Sequence, residues 1–274
     1  MSEHSRSLKT RRAACFAASV LVATGCSVAP ALAGTVEASY TITLAGLTIG
    51  RANLSGTVEQ NSYNISLAAS LTGLVGAMTK GNGSGTARGA MAAMPLTNGF
   101  SMQATNGTVT RTIQFGATSG SIRSVAIEPA LEITPEGRIP LTAQHRANVL
   151  DPLSALVMPS KSNDPLDKAN CDRRLPVFDG TQRFDVVLSY VGTRQVKAES
   201  GYVGPALICA ARYVPVAGHR PDRRAVKFMQ ENRDLSAWLV PVNNGSALMP
   251  FRISVKTMVG TSVIEARRFV SQSP

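Results

Sequence analysis

The sequence predicts an all-β protein: a long, strongly curved antiparallel sheet, either a spiral or an open barrel, with one short helix. Three observations carry that expectation. Apolar residues recur at every second position over most of the chain, as in Tyr40, Ile42 and Leu44 or Phe184, Val186 and Leu188, which is the period of a strand with one buried face. Two-residue turn signals, Asn106-Gly107 and Asp179-Gly180, stand between alternating runs. Finally, beyond an export-type N-terminus only two cysteines remain, Cys171 and Cys209, and an oxidising compartment favours joining them.

The N-terminus comes first. Arg6, Lys9, Arg11 and Arg12 precede an apolar run from Ala13 to Ala23, and Ala31-Leu-Ala33 follows. A basic region, an apolar stretch too short to span a bilayer and a small-x-small site describe a signal peptide over residues 1–33, cleaved after Ala33. The expected location is the periplasm. Ala23-Thr-Gly-Cys26 also resembles a lipobox, so the alternative is a membrane-anchored lipoprotein held through Cys26.

Removal of the leader leaves residues 34–274 as a single antiparallel β domain, with 24 basic against 16 acidic side chains and a formal charge of +8. That balance suits anionic partners, including an anionic membrane surface. The basic residues are scattered and lack interleaved aromatics, so no nucleic-acid partner is expected.

Along the domain, Tyr40, Ile42 and Leu44 alternate before a turn at Ala45-Gly46-Leu47, and Ile49 to Leu54 begins the next strand. Tyr63, Ile65, Leu67 and Ala69 form another apolar face. Leu71 to Met78 is apolar but interrupted by Gly73 and Gly76, so it is expected to bend, and Thr79 to Ala90, with Gly81, Gly83, Gly85 and Gly89, is expected to be the most flexible part. It lacks the Lys and Ser/Thr of a phosphate-binding loop. Strands are expected at 99–105, 109–115 and 121–128. Asp151 can cap a short helix with Pro152 in its first turn and Leu153, Leu156 and Val157 as its stripe, stopped by Pro159. Then come the hairpin about Asp179-Gly180 and strands over 195–199, 206–213, 225–230, 235–240, 251–257 and 261–269. In an extended chain Leu207, Cys209, Ala211 and Tyr213 share a face, so a Cys171–Cys209 disulfide would fasten the head of the hairpin to a nearby strand. An outer-membrane barrel fits less well, because the would-be lipid-facing stripes carry Thr, Ser and charge.

The chain resembles the bacterial exported proteins of the domain of unknown function 3108 family. The resemblance rests on Tyr40-Thr-Ile-Thr-Leu-Ala-Gly-Leu-Thr-Ile-Gly50, Tyr63, Gly73-Leu74, Asp151-Pro-Leu-Ser-Ala-Leu156, Cys171, Phe178-Asp-Gly180, Arg183-Phe-Asp185, Cys209, Val216-Ala-Gly218 and Pro250-Phe-Arg-Ile-Ser-Val255 with Gly260. Phe184 stands where the family more often has tyrosine. The resemblance implies an envelope protein with a spiralled antiparallel sheet and no agreed activity.

Candidate chemistry is sparse. His145 and His219 have no nucleophile elbow to serve, and Asp179 and Asp185, a conceivable glycosidase pair, read as a turn residue and a strand residue on the polar face partnered by Arg183 and Arg173. No catalytic residue, metal ligand or cofactor is expected. The remaining candidate is an apolar cleft on the inner face of the sheet, lined by Ile42, Leu44, Ile65, Leu67, Phe184, Val186 and Leu188, with residues 81–89 as a mobile lip. The expected role is non-enzymatic envelope maintenance through binding of a lipid, lipoprotein or envelope protein. An envelope hydrolase acting on cell-wall glycan or lipid, and an assembly factor without small ligand, are the alternatives.

Overall fold

The structure is a computed structural model that describes residues 1, 34–73, 76, 81–118, 120–132 and 134–273. The expected leader, its cleavage site and Cys26 lie outside the described residues.

Seven strands form an N-terminal meander: β1 (Gly34–Leu44), β2 (Leu47–Val58), β3 (Ser62–Leu71), β4 (Asn82–Ala90), β5 (Leu96–Asn106), β6 (Val109–Thr118) and β7 (Ser121–Glu128). A long connection carrying the short β8 (Met158–Pro159) leads to the second half. There follow β9 (Arg173–Phe178), β10 (Arg183–Lys197), β11 (Ser200–Gly201), β12 (Val203–Ala217), a helix α1 (Arg224–Glu231), β13 (Leu235–Val242), β14 (Ala247–Thr257) and β15 (Gly260–Gln272).

All fifteen strands belong to one sheet, ordered β7-β6-β5-β4-β3-β2-β1-β15-β14-β13-β12-β10-β9, with β11 and β8 appended to β15 and β14. Pairing is antiparallel apart from the two-residue β11–β15 contact. The two meanders meet where β1 pairs with β15, from Thr35 opposite Gln272 to Leu44 opposite Ser262. This is the expected antiparallel, strongly curved and open sheet. The terminal strands β7 and β9 share no ladder, but the segment between them touches both: Ala147 bridges to Ser121 and Leu150 to Val177.

That segment also fills the inside of the curl. Val149, Leu153 and Val157 join the larger apolar core, built on Val36, Leu54, Ile65, Phe100, Phe115 and Phe251, whereas Leu150 and Met158 join a second core with Leu175, Leu188, Leu207 and Leu248. One connecting strap therefore supplies side chains to both cores. Burial of such side chains is the main driving term for the fold, at about 25 cal/mol per Å² of apolar surface.

The turns form where the sequence places them. Ala45 and Gly46 take positive φ between β1 and β2, and Gly180 does so between β9 and β10. The Asp179 carboxylate accepts from the Thr181 and Gln182 amides at 2.8 and 2.7 Å, closing the hairpin. Cys171 and Cys209 form a disulfide with Cα atoms 5.4 Å apart, joining the approach to β9 to the middle of β12.

Three local expectations are corrected. Residues 82–90, read as mobile, form β4, an interior strand paired with β3 and β5 throughout. Glycine there answers to close approach: a methyl at Gly89 would lie 2.4 Å from the Tyr63 hydroxyl and 1.9 Å from the Leu96 carbonyl. Residues 225–230, read as a strand, belong to α1. The helix expected at Asp151 is a single 3-10 turn, Ser154–Leu156.

Candidate functional site

Cross-strand rows show where the inner face is full and where it is not. The row Phe115–Phe100–Ala87–Ile65–Gly56–Val36 runs across β6 to β1, and its side chains are buried. Two residues further along, Ile113–Met102–Gly85–Leu67–Leu54–Ala38 is half-buried through Ile113, Met102 and Leu67. The next row is Arg111–Ala104–Gly83–Ala69–Ala52–Tyr40. Its four central residues are small, so the inner face has little side chain with which to fill itself.

The consequence is an apolar recess of about 330 Å³ at this end, lined by Ile42, Ala69, Leu71, Gly81, Gly83 and Thr105. Its far side is stopped by the strap, since a methyl at Gly85 would stand only 3.1 Å from Leu153 Cδ1. Arg111 ends the row of small residues, and its buried Nε has no hydrogen-bond partner among the described residues. The recess wall is apolar, and Arg111 stands outside its lining, at the end of the cross-strand row that passes through Ala69 and Gly83.

At the opposite end the interior is closed by a polar lock. Asp151, fully buried, accepts from the Leu153 and Ser154 amides, both at 2.9 Å, and from the Thr97 hydroxyl at 2.8 Å. The Ser154 hydroxyl donates to the same carboxylate, and Tyr63 donates to Ser154 Oγ at 2.5 Å. Burial raises the Asp151 carboxyl above its ordinary value against the pull of these hydrogen bonds, and burial pushes Tyr63 up to about 12. Ser154 and Asp151 resemble a nucleophile beside a base. Both are fully buried and hydrogen-bonded to each other, so the arrangement anchors the strap to β3 and β5.

Six of the seven residues named for the cleft divide between the two cores. Ile42 and Leu67 pack at the edge of the first core and Ile65 is fully buried within it; Leu44 is half-buried at the end of β1. Phe184, Val186 and Leu188 belong to the second core, with Leu188 buried and Phe184 stacked on Tyr213 at 5.1 Å between centroids. Of the seven, Ile42 reaches the recess wall. The sequence reading put Ala69 on an apolar face and Gly83 in a lip but did not single out Arg111; which rows a curved sheet leaves empty depends on register, which brings the three into one row.

The other candidates are placed as follows. Asp185 is buried, and its carboxylate meets Arg174 Nη1 at 2.5 Å and Arg183 Nη1 at 2.6 Å. The expected Arg183 partner is present, whereas Arg173 turns away to donate to the Asn170 carbonyl at 3.0 Å. His219 is buried, and burial lowers its pKa. His145 Nδ1 receives the Thr142 amide at 3.2 Å.

Comparison with known proteins adds a family and two distant likenesses. The family model described as "Protein of unknown function (DUF3108)" matches residues 39–267. Among solved structures, a beta-barrel-like protein of domain of unknown function DUF1849 from Brucella abortus aligns at a TM-score of 0.47 and 8% identity, over 88% of this chain and 98% of that one. A candidate lipoprotein from Parabacteroides distasonis aligns at a TM-score of 0.32 and 10% identity, over 88% of this chain and 96% of that one. No curated protein matches the sequence.

Proposed function

The chain belongs to the DUF3108 family, and from that premise we propose a non-enzymatic protein of the cell envelope, periplasmic in location, that takes the acyl chain of a lipid or lipoprotein into the recess beside Ala69 and Gly83. The observation that carries this reading is the gradient along the inner face, from the packed Phe115–Phe100–Ile65 row to the small residues of the Arg111–Tyr40 row. A recess of about 330 Å³ is at the small end of the range that ligand sites occupy, roughly 300 to 1,000 Å³. Arg111, at the end of the same row, supports a ligand with an anionic head, because its buried Nε has no hydrogen-bond partner among the described residues and would recover lost solvation from a carboxylate or phosphate. The absence of an enzymatic role is part of the proposal, supported by the mutual saturation of Asp151 and Ser154.

The test is native mass spectrometry of protein taken from the envelope, together with titration by a fluorescent fatty acid. A co-purifying acyl species and saturable binding, lost in Ala69→Trp and weakened in Arg111→Gln at unchanged melting temperature, are expected. Binding that survives Ala69→Trp would overturn the assignment.

A further inference from the structure

The outer face of the same sheet carries a second, polar groove. Three recesses adjoin across it, of about 620, 490 and 560 Å³. The first and second share Ser66, Thr86, Ser101 and Gln114, and the second and third share Asn53. The groove therefore crosses from β7 to β15, eight strands in sheet order, about 34 Å at the usual strand spacing.

Its lining is chemically uniform. The central row is Ala126–Gln114–Ser101–Thr86–Ser66–Ser55, and the flanking row is Thr112–Gln103–Ser84–Ala68–Asn53–Ser39. Phe100 and Phe115 border the first recess but are buried, so apart from Arg88 the side chains presented to solvent there are hydroxyls, amides and methyls. Every strand from β6 to β1 is paired on both sides, so the backbone has no free edge to add a strand to, and recognition falls to side chains.

Charge within the groove is sparse and mostly positive. Among the described residues Arg88 in the first recess and Arg51 in the third form no ion pair, whereas Arg267 is held by Glu199 at 3.0 Å and reaches Thr41 Oγ1 at 3.3 Å. By strand and residue spacing Arg88 and Arg51 stand roughly 20 Å apart. An extended peptide would need side-chain pockets or a free strand edge; a polymer dense in hydroxyls and bearing occasional carboxylates matches donors, acceptors and charge.

We propose that this groove binds a carboxylated glycan strand, with Arg88 and Arg51 each receiving a carboxylate and the Ser, Thr, Asn and Gln rows receiving sugar hydroxyls. The shared chemistry could come from a uronate polysaccharide or from the lactyl carboxylates of cell-wall glycan, and the test separates them. Backbone amide shifts of the exported protein are followed on addition of tetragalacturonate, of a peptide-free cell-wall glycan tetrasaccharide, and of a pentaglutamate peptide.

Saturable shifts confined to β2–β6 with one of the two glycans identify the source. Arg88→Gln and Arg51→Gln should each weaken that binding about tenfold, and Ser66→Trp should abolish it without lowering the melting temperature. No shifts in the groove at millimolar glycan, or equal binding of the peptide, would overturn the proposal. Because the acyl recess opens on the opposite face, fatty-acid titration of the same samples reports on that reading separately.

Discussion

The Tyr63 hydroxyl, on β3, donates to the Ser154 hydroxyl of the strap at 2.5 Å, across 91 positions of sequence. Ser154 passes the interaction to Asp151, and Thr97 on β5 completes it. A meander of neighbouring strands needs few long-range contacts; this lock is one that ties its interior filling in place. Asp151→Ala removes the acceptor of two backbone amides and of the Thr97 and Ser154 hydroxyls, so it should cost about 3 kcal/mol. Tyr63→Phe leaves Ser154 its carboxylate and should cost about 1 kcal/mol. Urea melts followed by the fluorescence of Trp238, the single tryptophan, would order the two variants by midpoint at a common slope.

The same carboxyl sets a pH dependence. Burial raises the folded-state pKa of Asp151, so the folded chain holds a proton that the unfolded chain releases near pH 4. The stability contributed by this group is complete below that pH and falls as pH rises through the folded value. Asp151→Asn, uncharged throughout, should flatten that decline. Melting temperatures of both proteins from pH 3 to 8, taken in matched buffers, check the sign.

The glycines of β4 separate two uses of a missing side chain. At Gly89 a methyl would meet the Leu96 carbonyl at 1.9 Å, whereas at Gly83 the nearest atom is the Gln103 carbonyl at 3.1 Å. Gly89→Ala should therefore destabilise by about 3 kcal/mol, and Gly83→Ala by under about 1 kcal/mol. Thermal melts of the two variants make the comparison direct.

These positions also show what was legible in the sequence. Alternation gave the strands and their faces, and the turn residues gave β1–β2, β5–β6 and β9–β10, because those signals are local. Gly85 and Gly89 read as mobile because composition cannot say that Leu153 lies over the first and Tyr63 over the second. In α1, Val226 and Phe228 fall two apart as in a strand; eight residues are too few for the helical period to stand out. The cleft set was split because Phe184, Val186 and Leu188 face a core that the strap separates from Ile42 and Leu67, a division that parity does not contain.

The disulfide offers a further check. Cys171 and Cys209 close a separation of 38 residues, worth about 4 kcal/mol on the chain-entropy estimate. Reduction, or substitution of both by serine, should lower the melting temperature by roughly 10 °C in a domain of this size, with neither Cys171 nor Cys209 titrating as a free thiol before reduction.

Asp185 decides between a structural and a hydrolytic reading of the hairpin. Its carboxylate is buried and shared by Arg174 and Arg183 at 2.5 and 2.6 Å, while Asp179 is spent on the turn amides. Asp185→Asn leaves two guanidinium groups without their counter-charge. Because Arg174 is largely exposed and recovers water, the expected loss is about 2 kcal/mol, below the 3 to 5 of a fully buried pair. Asp179→Asn retains an acceptor for the turn and should cost less than about 1 kcal/mol. If the pair is structural, reducing-sugar release from cell-wall glycan stays at the buffer level for the native protein and both variants; release by the native protein that disappears in either variant would assign these carboxylates to catalysis instead.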